Sequence, residues 1–437
     1  MKRNYGLLAI ISFLLFMSQG ALTLGPVYTR SLGANYAAIG ALSMISSLVA
    51  VVFAIFWGRT TDLLQRRKGF IAVGLATMAV NAFLTSLVPD YQYLYPLRIL
   101  GAVATAAYHV ASLALMGDIL AQSAGRGWRM GVYRGCGSLG FSITAFAVRY
   151  LLQFTSLRGL YRLAGLLLLA AFAAAMLLRE DDPAGDVSKP RSMGRLLHEA
   201  ATATATSVRD AAIRMRATLR GGTGGDVLAD ERTTKERAAA PRATLPVMPL
   251  LVAALLWSFS FTDLNSLWSN YMTESVGYDE GTVSQLWALA AVLELPMMIG
   301  AGYLSDRIGR LPMISLSFVG WALVNLGYSL VPGMPWILGI QLLRSFAYSS
   351  YAATVMVYAT EVRGKAQRGQ VSGLQSSAGG IGAILGSAAA GTIAQVAGFG
   401  PMIGAMIAVS LGGAAYLGRA ALRQRNQVRR AASPEHG

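Results

Sequence analysis

Apolar stretches of about twenty residues recur along the whole chain, and no other feature limits its fold as strongly. They run at 6–28, 36–58, 69–89, 95–118, 131–152 and 158–178, and after a polar gap at 246–272, 281–303, 311–331, 335–361, 369–395 and 399–420. A helix rises about 1.5 Å per residue, so each run spans a hydrocarbon core of about 30 Å. Lipid satisfies no backbone N–H or C=O, so a run of this kind must fold as a helix. Composition points the same way: 54% of residues are hydrophobic, only 13% are charged, and 48 are glycine. A soluble enzyme does not look like this. The sequence predicts an all-α membrane protein of twelve transmembrane helices in two sets of six. One set occupies 1–178 and the other 246–422, with a connector at 179–245 and a basic tail at 423–437.

The two sets carry a common pattern. Gly58-Arg-Thr-Thr-Asp62-Leu-Leu-Gln-Arg66-Arg67 closes the second apolar run, and Gly302-Tyr-Leu-Ser-Asp306-Arg307-Ile-Gly309-Arg310 closes the eighth. The glycine, the aspartate and the arginine four places on are each repeated 244 residues later, as is Ser31-Leu-Gly33 in Ser275-Val-Gly277. A constant offset marks a duplicated unit. Gly125-x-x-x-Arg129 and Gly364-x-x-x-Arg368 repeat at an offset of 239, so a second loop is duplicated too.

A polar Gly–Asp–Arg turn between two spans, once per half, resembles the loop signature of the major facilitator superfamily. The second copy matches at Gly302, Asp306, Arg307, Gly309 and Arg310, whereas Leu63 and Gln65 stand in the first copy where the basic residue and inner glycine belong. The resemblance covers about residue 5 to about 422 apart from the connector, and implies two pseudo-symmetric six-helix halves. In that family such turns latch the halves when the inner gate is shut. The resemblance carries this role onto Gly58, Asp62, Arg66, Arg67, Gly302, Asp306, Arg307, Gly309 and Arg310, together with Arg129 and Arg368. The fifth and eleventh helices begin near Arg129 and Arg368, so their positive dipole ends lie where an aspartate could meet free amides. The Gly-Pro-x-x-Gly-Gly signature of the superfamily's drug–proton antiporters is missing, and Arg98-Ile-Leu-Gly101 is one residue shorter than their Arg-x-x-x-Gly pattern.

The net charge of +16 suggests nucleic acid, but its distribution argues otherwise. Lys and Arg crowd alternate loops, while the opposite loops hold acids such as Asp90, Glu274, Asp279 and Glu280, with Arg30, Arg158 and Arg162 as exceptions. By the positive-inside rule this charge encodes topology, placing both termini, both motif turns and the connector in the cytoplasm of a cell-membrane protein. Met1 to Gly25 reads as a retained first span, because its removal would leave one repeat a helix short. In the connector, Met193, Leu197, Ala200, Val208, Ala211, Met215 and Leu219 share one helical register, which Thr204 interrupts as its one polar member. That face fits either an amphipathic helix on the inner leaflet or a partly solvated linker helix.

Catalytic chemistry has few candidates. Three histidines and a single Cys136 offer no disulfide or multi-cysteine metal site, and no phosphate-cradling loop is present. Neither cofactor nor metal is expected, and transport would draw on an ion or solute gradient.

Ionisable residues inside the spans are costly unless they face a cavity or a partner. Arg98 and Asp118 bound the fourth span, with His109 between them, and Arg344 and Glu361 bound the tenth. The arginines fit either anion contacts or interfacial anchors. Asp118 and Glu361 fit a charge network at the inner helix ends, and His109 fits polar packing or proton carriage. Asp263, close to Asn265, interrupts the seventh span, and Glu294 the eighth. Their counterparts in the first half are Gln19 and Ala50, so both acids occur once, as a site needed once would. Glu294 is the first candidate for coupling.

The reading is a monomeric secondary transporter that moves a small organic solute by alternating access, coupled to protons, with efflux ahead of uptake. The alternative is a proton-coupled uptake symporter for a sugar or organic anion. A non-transporting membrane sensor of the same fold is the second class.

Overall fold

The structure is a computed structural model and describes residues 2–64, 67–121, 126–179, 202, 206, 209, 246–331, 333–361 and 368–432. All regular structure among them is helical. The helices are α1 (Lys2–Ala21), α2 (Gly25–Ser31), α3 (Tyr36–Leu64), α4 (Lys68–Leu87), α5 (Leu94–Ala121), α6 (Arg126–Leu151) and α7 (Leu157–Met176). After the connector come α8 (Val247–Asn270), α9 (Glu280–Ile308), α10 (Arg310–Ser329), α11 (Met334–Glu361), α12 (Arg368–Ala397) and α13 (Phe399–Ala432). Ten helices of the described residues are long and apolar enough to cross a membrane, which makes this a multi-pass membrane protein. The arginines of α6, and Gln341, Arg344, Ser345, Ser349 and Ser350 of α11, keep those two below that apolarity. The predicted connector helix lies outside the described residues apart from Thr202, Thr206 and Arg209.

The helices cover the apolar runs, and two of the runs are broken. The first run breaks after Ala21, because Pro26 at the start of α2 has no N–H with which to continue α1. The seventh ends in a π-helical turn, Tyr271–Ser275, whose Val276 N–H reaches back to the Tyr271 carbonyl at 3.1 Å. Start signals recur 244 residues apart. The Asn35 side chain caps α3 by accepting from the Ala38 N–H at 2.8 Å, and Asp279 caps α9 by accepting from the Thr282 N–H at 3.0 Å. Two residues before each cap, Gly33 and Gly277 hold φ of 89° and 84°, a region where a side chain would be strained.

The described chain separates into two compact units. The first comprises Met1–Ala205, Asp263–Leu295 and Ser387–Phe399, and the second Thr206–Thr262, Pro296–Gly386 and Gly400–Gly437. In the first unit α1 packs on α6 and α7, α4 on α5 and α7, and α3 on α5. Leu8, Ile11 and Leu15 of α1 meet Ile71 and Leu75 of α4, Tyr108 and Ala111 of α5, and Leu168 and Ala171 of α7. Lipid tails are as apolar as leucine, so close packing rather than escape from water selects these contacts. Small residues provide it. A Cβ on Gly140 of α6 would fall 2.4 Å from the Phe13 carbonyl oxygen of α1, so only glycine lets those backbones approach.

The second unit repeats that device: a Cβ on Gly386 of α12 would lie 2.3 Å from the Phe259 oxygen of α8. Its core is aromatic. Trp257 stacks on Tyr351 with ring centres 4.1 Å apart, and Phe261 stacks on Tyr348 at 5.3 Å. Trp321 lies against both Trp257 and Phe261.

Candidate functional site

Within the first unit a cavity of about 570 Å³, its wall part polar and part apolar, opens among α1 to α5, with α7 and the last turns of α8 completing it. Its lining follows from helix periodicity. Leu94, Leu97, Arg98, Gly101, Ala102 and Thr105 form one stripe of α5 at steps of three and four. On the far side of that helix Ile99 and Leu100 are exposed, as a lipid-facing surface would be. Ser43, Ser46 and Ser47 form a second stripe on α3. Gln19 and Ser18 come from α1, Asn81 from α4, Tyr161 from α7, and Asn265 and Ser266 from α8.

Three of the sequence candidates, Arg98, Gln19 and Asn265, therefore meet at one cavity. His109 lies four residues beyond Thr105 on the cavity stripe of α5; it is exposed, and its ring meets Tyr108 edge-on at 5.3 Å. Arg344 is buried at 4% exposure in the second unit. Glu294 is half-buried on α9 and has a polar partner, and Pro296 sits inside the helix two residues on. Asp263 belongs to α8, but its side chain is outside the described residues. The α3 hydroxyls, Thr105 and Asn81 were missed. Serines at 43, 46 and 47 in an otherwise apolar helix were the available signal, one that sequence reasoning aimed at charges passes over.

The motif turns are more helical than a loop signature suggests. Gly58 and Asp62 lie within α3, and Gly302, Asp306 and Arg307 within α9. The chain turns at Gly309, whose φ of 95° suits glycine. Arg310 begins α10 and binds three partners. Its Nη1 donates to Asp306 Oδ1 at 2.5 Å and to Ser305 Oγ at 2.9 Å, while Nε and Nη2 grip Glu361 at 3.2 and 3.0 Å. Arg307 lies over the Tyr303 ring, 4.3 Å from its centre. In the first copy Arg67 pairs with Asp118, again 51 residues away in sequence, as Arg310 is from Glu361. Spacing alone had aligned Arg66 with Arg310; Arg66 and the side chains of Asp62 and Arg368 lie outside the described residues. The Arg129 carbonyl accepts from the Tyr5 hydroxyl at 2.8 Å.

At the other end of α3, segments distant in sequence close tightly within the first unit. Arg149 Nη1 donates to Asp279 at 3.2 Å and to the Thr282 hydroxyl at 2.6 Å. Thr23 and Ser284 share a hydrogen bond of 2.8 Å, and Ser284 also donates to the Ala145 carbonyl at 2.7 Å. The Tyr36 hydroxyl donates to Glu274 at 2.6 Å, with Arg30 3.6 Å from the same carboxylate. Deeper in, α3 crosses α12 glycine on glycine. A Cβ on Gly40 would lie 2.7 Å from the Gly391 Cα and 2.6 Å from the Ser387 oxygen.

A duplicated turn, a membrane-spanning helical fold and a cavity with polar side chains in its wall agree with what known proteins show. The sequence profile described as the MFS_1 like family matches residues 5–402. The chain belongs to the MFS_1-like family. A sugar efflux transporter A from Dickeya chrysanthemi is 27% identical to this MFS_1-like chain over 126 residues, which is 29% of this chain and 32% of that protein. Among solved structures, the nucleoside transporter NupG superposes with a TM-score of 0.69 at 16% identity, covering 96% of this chain and 98% of its own. The peptide transporter POT in complex with sulfate superposes with a TM-score of 0.67 at 14% identity, covering 96% and 95%. These similar proteins are named as transporters, and the chain shares its family with the matched profile and its fold with the solved structures.

Proposed function

We propose that this MFS_1-like protein is a secondary active transporter of two pseudo-symmetric six-helix halves, twelve spans in all. It carries a small polar organic solute across the cell membrane by alternating access. The observation that carries this reading is the cavity of the first unit, where serine, threonine, glutamine, asparagine and arginine side chains stand among the apolar ones of its wall. Asn81 Oδ1 on that wall is buried without a hydrogen bond, and a hydroxylated solute would supply its donor. Of the solutes named for similar proteins, a sugar and a nucleoside are of that kind, whereas a peptide is not.

The hydrogen-bonded closure at Thr23, Ser284, Arg149 and Asp279 serves as one gate, and the motif turns at Arg67 and Arg310 serve the other. Alternating positive charge supports cytoplasmic termini and a closed face toward the exterior. Proton coupling is assigned to Glu294, with Asp263 as the second candidate, and efflux is favoured over uptake. A role as a membrane sensor would not require paired gating arginines in both halves.

The test is reconstitution into proteoliposomes with a panel of labelled sugars, nucleosides and organic acids, with and without a pH gradient. Saturable counterflow of at least one solute, accelerated by a proton gradient, is expected. Absence of counterflow across the whole panel in protein that remains folded would refute transport.

A further inference from the structure

Arg98 is the sole charged residue among the described residues that line the cavity. It lies on the cavity stripe of α5 and not on the face with Ile99 and Leu100, so it does not serve as an anchor pointing into lipid. No carboxylate among the described residues forms an ion pair with it. The arginines that do form ion pairs among the described residues, Arg30, Arg67, Arg149 and Arg310, lie at or next to helix ends. A guanidinium in a low-dielectric wall is stabilised by an opposite charge, and the described residues of the wall offer none.

A second observation comes from α4. The Asn81 Oδ1 is buried and accepts no hydrogen bond, and Asn81 sits against Gly101, one turn from Arg98, where a Cβ would come within 2.9 Å of its Nδ2. The absence of that Cβ leaves the amide room beside the arginine. An orphaned acceptor needs a donor. Ser43, Ser47 and Thr105 add further hydroxyls on the facing stripes, and the Gln19 amide adds both donor and acceptor.

We infer that the cavity takes a hydroxylated organic anion of the uronic or aldonic acid kind, with Arg98 receiving its carboxylate and Asn81 Oδ1 accepting from an adjacent hydroxyl. Arginine suits a carboxylate because its planar fork donates two parallel hydrogen bonds. The inference rests on the cavity being the solute site, as proposed above. It narrows that solute from any polar molecule to an anionic one.

The test probes the sign of the cavity's field without needing the natural solute. Cys136 is replaced by alanine and Ser47→Cys is introduced. Modification rates are then measured in detergent with an anionic and a cationic methanethiosulfonate reagent, each normalised to its rate with 2-mercaptoethanol. The normalised anionic rate should exceed the cationic one by at least about tenfold, since one charge within several ångströms at an effective dielectric near 20 has an effect of that size or larger. Arg98→Gln should bring the ratio to near one, and Arg98→Lys should retain most of it. Should Arg98→Gln not fold, the ratio in the Arg98 background decides by itself. Equal normalised rates there would overturn the anion assignment while leaving an accessible solute cavity. Failure of both reagents to reach the cysteine would overturn the cavity as solute site, and the inference with it.

Discussion

Arg310 grips both carboxylate oxygens of Glu361, donating from Nε at 3.2 Å to Oε2 and from Nη2 at 3.0 Å to Oε1. The same guanidinium reaches Asp306 through Nη1. One arginine thus ties the end of α9 to the start of α10 and the end of α11, so any motion that separates these ends must release it. Two bonds join Glu361 and one joins Asp306, which ranks the two acids. Glu361→Gln should lower the transport rate more than Asp306→Asn, with solute binding within a few-fold of wild type for both. The pair is partly exposed, so the cost in stability should stay near or below about 1 kcal/mol. Initial rates in proteoliposomes beside equilibrium binding of the same solute provide the check, and a normal rate in Glu361→Gln would remove the arginine cluster from the gate.

The crossing of α3 and α12 depends on two residues with no side chain. A Cβ at Gly40 would press on backbone atoms, which cannot rotate away as a side chain can. Gly40→Ala and Gly391→Ala should each force the crossing apart, at a cost of about 1–3 kcal/mol in the closed form. A cysteine at Ser284, buried here, should then react several-fold faster with an impermeant thiol reagent. Unchanged reactivity in both variants would show that the helices do not meet this way during closure.

Asp279 should make this closure sensitive to acid. Burial pushes its carboxyl up, but hydrogen bonds from the Thr282 hydroxyl and amide and the Arg149 guanidinium outweigh that and hold it below the usual carboxylate range. A depressed folded pKa contributes stability that is present above the ordinary value of about 4 and is lost as pH falls through the lowered one. Wild type should therefore melt at a higher temperature than Asp279→Asn at pH 7, and the gap should shrink below about pH 4. A gap that widens on acidification would mean the pair does not stabilise the closed end.

Glu294 has no acid at the equivalent place in the first half, where Ala50 stands and lines the cavity. Pro296 two residues on removes a backbone hydrogen bond from α9 and allows a local bend. Glu294→Gln should abolish pH-driven transport yet preserve solute exchange without a gradient, and Glu294→Asp should keep some driven transport with a shifted pH profile. Driven transport at the normal rate in Glu294→Gln would pass the coupling role to Asp263.

A cysteine at Ser188 should be labelled only from the cytoplasmic side and one at Tyr278 only from outside. Labelling of both from one face would contradict the proposed orientation. The positive-inside distribution motivates this expectation.

Much of the scaffold was legible because lipid makes the rule strict: a long apolar run must become a helix. The starts of α4, α5, α7, α8, α9, α10 and α11 fall within a residue of the apolar runs for that reason. Pro26 and the π turn at Tyr271 were not read as breaks, since hydropathy does not register backbone geometry. For the site, Arg98, Gln19 and Asn265 stood out as polar residues in apolar helices and share one wall. Ser43, Ser47 and Asn81 were passed over because a neutral hydroxyl or amide costs little on a helix surface, and only the three-dimensional register brings them together. The Arg149–Asp279 bridge joins residues 130 apart in sequence; no local pattern could have paired them.

The last helix extends well beyond what a span requires. α13 has 34 residues, about 51 Å at the usual rise, against a hydrocarbon core of about 30 Å. Its final turns therefore emerge as unbroken helix, with Arg419, Arg423 and Arg425 exposed on them. Arginines near a helix C-terminus complement its dipole, and on a rigid rod they are held at fixed depths near the headgroups. The tilt of this helix is consequently set from both ends, by its packing in the bundle and by the charge of the leaflet it leaves. A bilayer richer in anionic lipid would draw the rod toward its surface, which gives lipid composition a mechanical hold on the bundle.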